Sequence, residues 1–411
     1  MLTTVVLRRL SQLVILALLV GAGWVAAPAL SMAPYVPRAV DFEQPLTGLA
    51  RVGPVADGNL HRKAAVAKAG EGAVSYRSDV IAAPDRFDLA GLAGELRPLE
   101  IRARESGGEW SDWVESGAGD PVYFGGSDEL QLRARGYRPA GELHYVNVSG
   151  STTAAGGLLT SVRRSINTAF VSAAGFLDPV ADALPARPTV IGRPAWGANQ
   201  KVGGCRPRVH PIYGRVKAAV VHHTVTANEY SAEEAPAIVL GICRYHRNGN
   251  GWNDIGYNAL VDRFGNIYAG RAGGLKRPVV GAHAQGFNAQ TSGVAVIGTH
   301  TKVPITPQSK GALVEWLSWR LAVSGLNAIG KTTLVSAGGD LSRYPSGRRV
   351  RLNRVIGHGT VGLTECPGAA LALIVPKLRH LVQERIDAGG GVAPDQGTDP
   401  APTDDGGVTP K

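Results

Sequence analysis

Between residues 190 and 386 the hydrophobic pattern keeps changing its period, and this limits the folds open to the chain more than any other feature. Lys217–Val221 is a short, β-branched apolar run of the kind carried by a strand buried on both faces. Ser231–His246 then places Ala235, Ile238, Val239 and Ile242 at helical spacing. Gly251–Val261 leads from a turn into a strand, and Asp262–Asn266 has the composition of a hairpin turn. Ile267–Arg271 and Gly293–Gly298 read as further strands, Ala312–Leu326 as a helix, Arg354–Ile356 as a last short strand and Ala369–Ile386 as a closing helix. Strands interleaved with helices predict an α/β domain over 191–387, with a mixed central sheet and helices on its faces.

The remainder reads differently. From 73 to 150, runs such as Arg97–Arg104, Glu129–Arg135 and Leu143–Val148 alternate apolar with polar residues, and Gly, Ser, Asp and Pro punctuate them at short intervals. That is the period of half-buried strands and predicts a small all-β, sandwich-like domain. Trp110 and Trp113 could stack on sugar; a core or inter-strand role is the expectation. Residues 34–72 show no sustained period and read as an extended segment. Residues 151–190 are rich in Ser, Thr, Ala and Gly and read as a linker with one amphipathic stretch, Leu158–Phe170. The 388–411 tail has almost nothing to bury and reads as disordered.

Arg8 and Arg9 precede an almost uncharged run, Leu13–Ala33, with small residues at its end. This matches a cleavable secretory leader over 1–33; uncleaved, it would anchor the chain in a membrane. An exported protein with three cysteines, Cys205, Cys243 and Cys366, has room for one disulfide and one thiol with another task. Setting aside the two leader arginines, and the five aspartates and one lysine of the last 25 residues, turns the overall +10 into +12 for the body. Such a body favours polyanionic surroundings: nucleic acid, anionic lipid or a wall polymer. No Walker loop, zinc-finger spacing or RNA-recognition signature is present, so nucleic acid is not expected as a partner.

Two histidines, His222 and His358, directly follow apolar strands, and Cys366 lies in a Pro/Gly-bounded loop eight residues after the second. Two imidazoles and a thiolate are a good donor set for Zn²⁺, and three protein ligands leave a fourth position for water. Spacing alone does not bring 222 and 358 together.

The ordered strings His222-His223-Thr224, Gly251 to Arg271 (GWNDIGYNALVDRFGNIYAGR), Val279 to Asn288 (VVGAHAQGFN), Gly293 to Gly298 and Gly357 to Gly368 (GHGTVGLTECPG) resemble the type-2 N-acetylmuramoyl-L-alanine amidases, and more closely the peptidoglycan recognition proteins. The resemblance covers about 190–386, and the leader and β-rich segment before it resemble the long exported actinobacterial members. It implies a zinc amidase that cuts between N-acetylmuramic acid and L-alanine, or else a non-catalytic peptidoglycan-binding protein. The implied zinc ligands are His222, His358 and Cys366, and not His223. Tyr257 and Thr364 take the catalytic positions, and His283, Asn288 and His223 are expected to line the substrate groove. With Cys366 given to the metal, Cys205 and Cys243 are left to pair with each other in an oxidising compartment. A monomer, secreted or held at the cell wall and bound to muramyl peptide, is the expected form. Two departures stand out: Gly359-Thr360 replaces the charged pair that many relatives carry after the second ligand, and Ala259 replaces a bulkier residue.

Overall fold

The computed structural model describes residues 39–52, 75–95, 97, 99–116, 120–148 and 184–392. The expected leader, the amphipathic stretch at 158–170 and the tail beyond 392 lie outside the described residues.

The first half is all strand: β1 Val40–Pro45, β2 Leu49–Val52, β3 Ser75–Ser78, β4 Ile81–Leu92, β5 Leu99–Arg104, β6 Val114–Ser116, β7 Val122–Arg135 and β8 Glu142–Asn147. Two of these, β1 and β2, fall inside the segment read as extended. The sequence leads one to expect two separate sheets; instead all eight strands join one antiparallel sheet, ordered β1-β8-β4-β7-β3-β2, with β5 on β7 and β6 on β5. The cause is the length of β7. Its first part pairs with β4, and Glu129–Arg133 pairs with β5. Register shifts in β4 between Ala82 and Phe87 and between Phe87 and Leu89 mark bulges, which bend a strand. Phe87, Ala90, Leu99, Ile101, Leu130, Leu132, Leu143 and Tyr145 form the core of this domain.

Trp110 and Trp113 are fully engaged. The guanidinium of Arg102 lies 4.6 Å from the centre of each ring, Arg104 lies 4.3 Å from Trp110, and Arg133 lies 4.3 Å from Trp113. Arginine and indole thus alternate in a stack across β5 and β7, each indole between two cations, which is a packing role.

The second half contains β9 Val190–Ile191, β10 Ala218–His223, α1 Ala235–Arg244, β11 Ala259–Val261, β12 Ile267–Ala269, β13 Thr291–Val296, α2 Pro307–Ala322, a hairpin of β14 Lys331–Val335 and β15 Arg349–Asn353, then β16 Val355–Gly357 and α3 Ala369–Ala388. A π-helical turn, Tyr245–Gly249, extends α1. The sheet runs β16-β10-β13-β11-β12-β9; β10 is parallel to both neighbours, and β11 and β12 are antiparallel. It is the mixed sheet that the period changes predict. Ala219 and Val221 of β10 pack with Leu313, Trp316 and Leu317 of α2 and Leu371 and Leu378 of α3. The opposite face meets α1 through Leu260, Ala295 and Ile297. Among the described residues no helix is long and apolar enough to cross a membrane.

Cys205 and Cys243 form a disulfide, with Cα atoms 6.2 Å apart, that fastens the segment before β10 to α1. The outer side of α1 takes the β-rich domain: Leu89, Tyr123, Val146 and Val148 share one core with Ala237, Ile238 and Leu240. Approach is close enough that a Cβ on Gly241 would lie 2.2 Å from Leu89 Cδ1, and one on Gly91 would lie 2.4 Å from the Tyr245 hydroxyl. Arg244 adds a two-pronged ion pair with Asp41 at 2.6 and 2.8 Å.

Candidate metal centre

Successive side chains of a strand point to opposite faces, and this separates the two adjacent histidines at the end of β10. His222 follows Ala218 and Val220 and sits beside Ala295, on the α1 side of the sheet. His223 follows Ala219 and Val221 to the other side, where its Nδ1 accepts the backbone N–H of His300 at 3.1 Å. Its own backbone N–H points to Cys366 Sγ at 3.4 Å. His223 therefore braces the thiol through its main chain while its ring faces away.

His358 follows β16 and Cys366 closes the next loop; the donor atoms of His222, His358 and Cys366 all lie within 4.8 Å of one another. His222 Nδ1 is 3.6 Å from the sulfur, and the rings of His222 and His358 are 4.5 Å apart. Burial pushes His222 well below the ordinary imidazole range, with His358, His283 and His223 adding to it, and takes His358 down to about 4. Both rings are therefore neutral, the form that binds metal. Burial drives the Cys366 thiol well up, and the carboxylates of Asp120 and Glu115 push the same way, against the hydrogen bond from His223. A thiolate here needs a cation to offset its charge. Neutral imidazoles around such a sulfur fit Zn²⁺ chemistry.

The loop between ligands is held by the backbone. Gly359 N–H donates to Cys366 O at 2.6 Å, and Arg343 Nε donates to Gly359 O at 3.1 Å. A Cβ on residue 359 would lie 2.8 Å from Thr364 O, so this loop closes only around glycine. Thr364 Oγ1 accepts the Cys366 N–H at 3.1 Å, which leaves its hydroxyl proton free to donate.

His283 does not line an open groove. It is buried, and its Nδ1 sits 3.0 Å from His222 Nε2. Asn288 Oδ1 accepts the backbone N–H groups of His283 and Ala284 at 2.9 and 2.8 Å, so it shapes the loop that carries His283.

Tyr257 is buried, with its ring 5.2 Å from His222. Its hydroxyl donates to Asp120 Oδ1 at 3.0 Å, and His246 Nε2 meets the same oxygen at 2.9 Å. Burial pushes the phenol well up, and the charges of Asp120 and Cys366 add to the rise, so the phenol stays protonated at neutral pH. Neither Asp120 nor His246 is suggested by any sequence pattern. Asp120 belongs to the β-rich domain and reaches this site across 137 residues.

The family model described as N-acetylmuramoyl-L-alanine amidase matches residues 212–369. The chain is 30% identical over 182 residues to peptidoglycan-recognition protein SC2 of Drosophila simulans, covering 44% of this chain and 80% of that protein. It is 31% identical over the same length to SC2 of Drosophila melanogaster, with the same coverage. A bumblebee PGRP-SA structure aligns with a TM-score of 0.35 and 24% identity over 46% of this chain and 94% of that one. The Clostridium intestinale endolysin amidase LysCS aligns at 0.33 and 21%, over 48% of this chain and 96% of that one. The chain belongs to the peptidoglycan recognition protein family, and its residues 212–369 match the N-acetylmuramoyl-L-alanine amidase model.

Proposed function

We propose that this protein is an exported, zinc-dependent N-acetylmuramoyl-L-alanine amidase that hydrolyses the amide between N-acetylmuramic acid and L-alanine in peptidoglycan. The observation that carries the reading is the convergence of His222, His358 and Cys366 with Tyr257 packed against the first of them. Pure recognition of peptidoglycan has no need for a buried thiol among neutral imidazoles.

When bound, the ion would polarise the scissile carbonyl and make hydroxide available near neutral pH. The protein's own groups supply the rest. The oxygen of Tyr257, whose proton is turned to Asp120, presents lone pairs that can accept a hydrogen bond from the attacking water. The Thr364 hydroxyl can donate to the carbonyl oxygen as negative charge builds there. The water oxygen bonds to the lactyl carbonyl carbon, the C–N bond breaks, and the amine of L-alanine takes up the proton that the water gives up.

Two features support action outside the cytoplasm: the Arg8-Arg9 leader pattern, and a disulfide of the kind that persists in oxidising compartments. The basic body suits an anionic wall.

The test is to incubate the zinc-loaded chain with a muramyl peptide and look for peptide with a free L-alanine amino terminus. Its release is expected. Zinc and muramyl peptide bound with no peptide released would instead make this a recognition protein.

A further inference from the structure

We propose that Asp120, carried by the β-rich domain, is a positioning residue of the amidase site: its carboxylate fixes the direction of the Tyr257 hydroxyl, so that the site is assembled from two domains. The inference rests on the amide-hydrolase reading above.

Three observations combine. First, a phenol O–H prefers two in-plane orientations, and the 3.0 Å bond to Asp120 Oδ1 selects one. The lone pairs of the Tyr257 oxygen are then left for a molecule bound at the metal site. Secondly, Asp120 is itself held. Ser116 Oγ, at the end of β6, donates to its backbone carbonyl at 2.9 Å. His246 Nδ1 accepts the Gly256 N–H at 3.2 Å, so the ring proton sits on Nε2 and is donated to Asp120. The π-helical turn at Tyr245–Gly249 presents His246, and such turns recur at functional sites. His246 is wholly buried, with its ring tilted against Trp252 at 4.7 Å between centres, which holds it in place. Thirdly, domain docking does not depend on Asp120. It is supplied by the Asp41–Arg244 pair, by Asn248 on Asp41, by Tyr123 on Glu234 and by the shared apolar core. One carboxylate oxygen accepting from both a site tyrosine and a clamped histidine is an orienting arrangement.

The experiment uses the full chain with Asp120→Ala, Asp120→Asn, Tyr257→Phe and the Asp120→Ala/Tyr257→Phe double variant. Each is assayed on a muramyl peptide and checked for bound zinc. Asp120→Ala should lower kcat about 10- to 100-fold, the usual cost of losing a partner that orients a site group, with zinc content unchanged and KM little moved. Asp120→Asn keeps an acceptor oxygen and should recover part of the loss. The double variant should be no slower than Tyr257→Phe alone. A readout independent of turnover is the carbon-13 signal of the Tyr257 Cζ in the zinc-free protein, assigned by its loss in Tyr257→Phe; it should move in Asp120→Ala.

An Asp120→Ala enzyme as fast as or faster than wild type overturns the proposal, and a faster one would make the carboxylate an obstruction to substrate. Additive losses in the double variant, or a Tyr257 signal that does not move, also overturn it. A wild-type chain that binds zinc and muramyl peptide without cleaving overturns the amidase reading instead, and the Tyr257 signal then still reports whether Asp120 holds the phenol.

Discussion

His222 and His283 meet ring against ring, nearly perpendicular at 86°, with Nε2 of the first 3.0 Å from Nδ1 of the second. Since Nδ1 of His222 faces the thiol, the ring proton belongs on Nε2 and is donated to His283. Burial and the nearby His358 take His283 down to about 3, so it stays neutral and able to accept. His283 thus sets the tautomer and angle of a ligand. His283→Ala should weaken zinc binding about 10- to 100-fold, measured by competition with a chelator. Zinc affinity equal to wild type would return His283 to a groove-lining role.

Cys366→Ala should abolish stoichiometric zinc, measured by elemental analysis, and activity with it. Tyr257→Phe should retain zinc and fold and lose roughly 10²- to 10³-fold in kcat, the cost of one transition-state hydrogen-bonding group. Near-normal cleavage by zinc-loaded Tyr257→Phe would remove the tyrosine from the chemistry.

Leu89 packs directly over Gly241 where the β-rich domain meets α1, leaving no room for a Cβ there. Gly241→Ala inserts a methyl into occupied space and should cost about 1–3 kcal/mol in denaturant unfolding. Leu89→Ala should cost about 2–5 kcal/mol through the cavity it leaves. The double variant should be more stable than the sum of the two losses implies, because each change relieves the other. Strict additivity would mean that the contact is not made.

Glu115, in the strand leading to Asp120, has its carboxyl raised by burial to about 7 from an ordinary 4.5, with the charges of Glu100 and Glu365 adding to the rise. The folded chain therefore holds a proton there that the unfolded chain releases. By linkage, this group's stability contribution is complete below about 4.5 and is lost as pH rises through 7. Glu115→Gln should match wild type in melting temperature near pH 5 and exceed it by a few degrees near pH 8. A difference that does not change with pH would contradict this.

How much of this was legible in sequence varies with the physics. β10 and β13 each carry a short apolar run, Ala218–Val221 and Val294–Val296, and runs of that kind become strands buried on both faces. The start of α2 is five residues earlier than the apolar spacing indicates, although Thr306-Pro307 offers a cap and a first-turn proline; Thr306 Oγ1 does accept the Ser309 N–H at 3.0 Å. α1 held an unused signal. Its apolar residues are not confined to one stripe, and Ala237, Ile238, Val239, Leu240, Gly241, Ile242 and Cys243 are all buried, as in a helix covered on every side. That covering is the β-rich domain. The metal ligands were reachable through the family resemblance and not by spacing, since parallel pairing sets β10 beside β16 across more than 130 residues. Asp120 gave no sign at all, because a lone carboxylate acquires its meaning only from what folds against it.

The Asp41–Arg244 pair has a consequence for how the chain reaches its native state. It spans 203 residues, so this tie between β1, already paired with β8, and α1 forms only once both elements are in place. Ordering the intervening chain costs entropy well before this contact rewards it, and such non-local closures slow folding. Refolding from denaturant, followed by stopped-flow fluorescence, should show a late phase that Asp41→Asn slows further. Until that phase completes, Asp120 has no fixed address beside Tyr257, and recovery of catalytic competence should trail recovery of secondary structure.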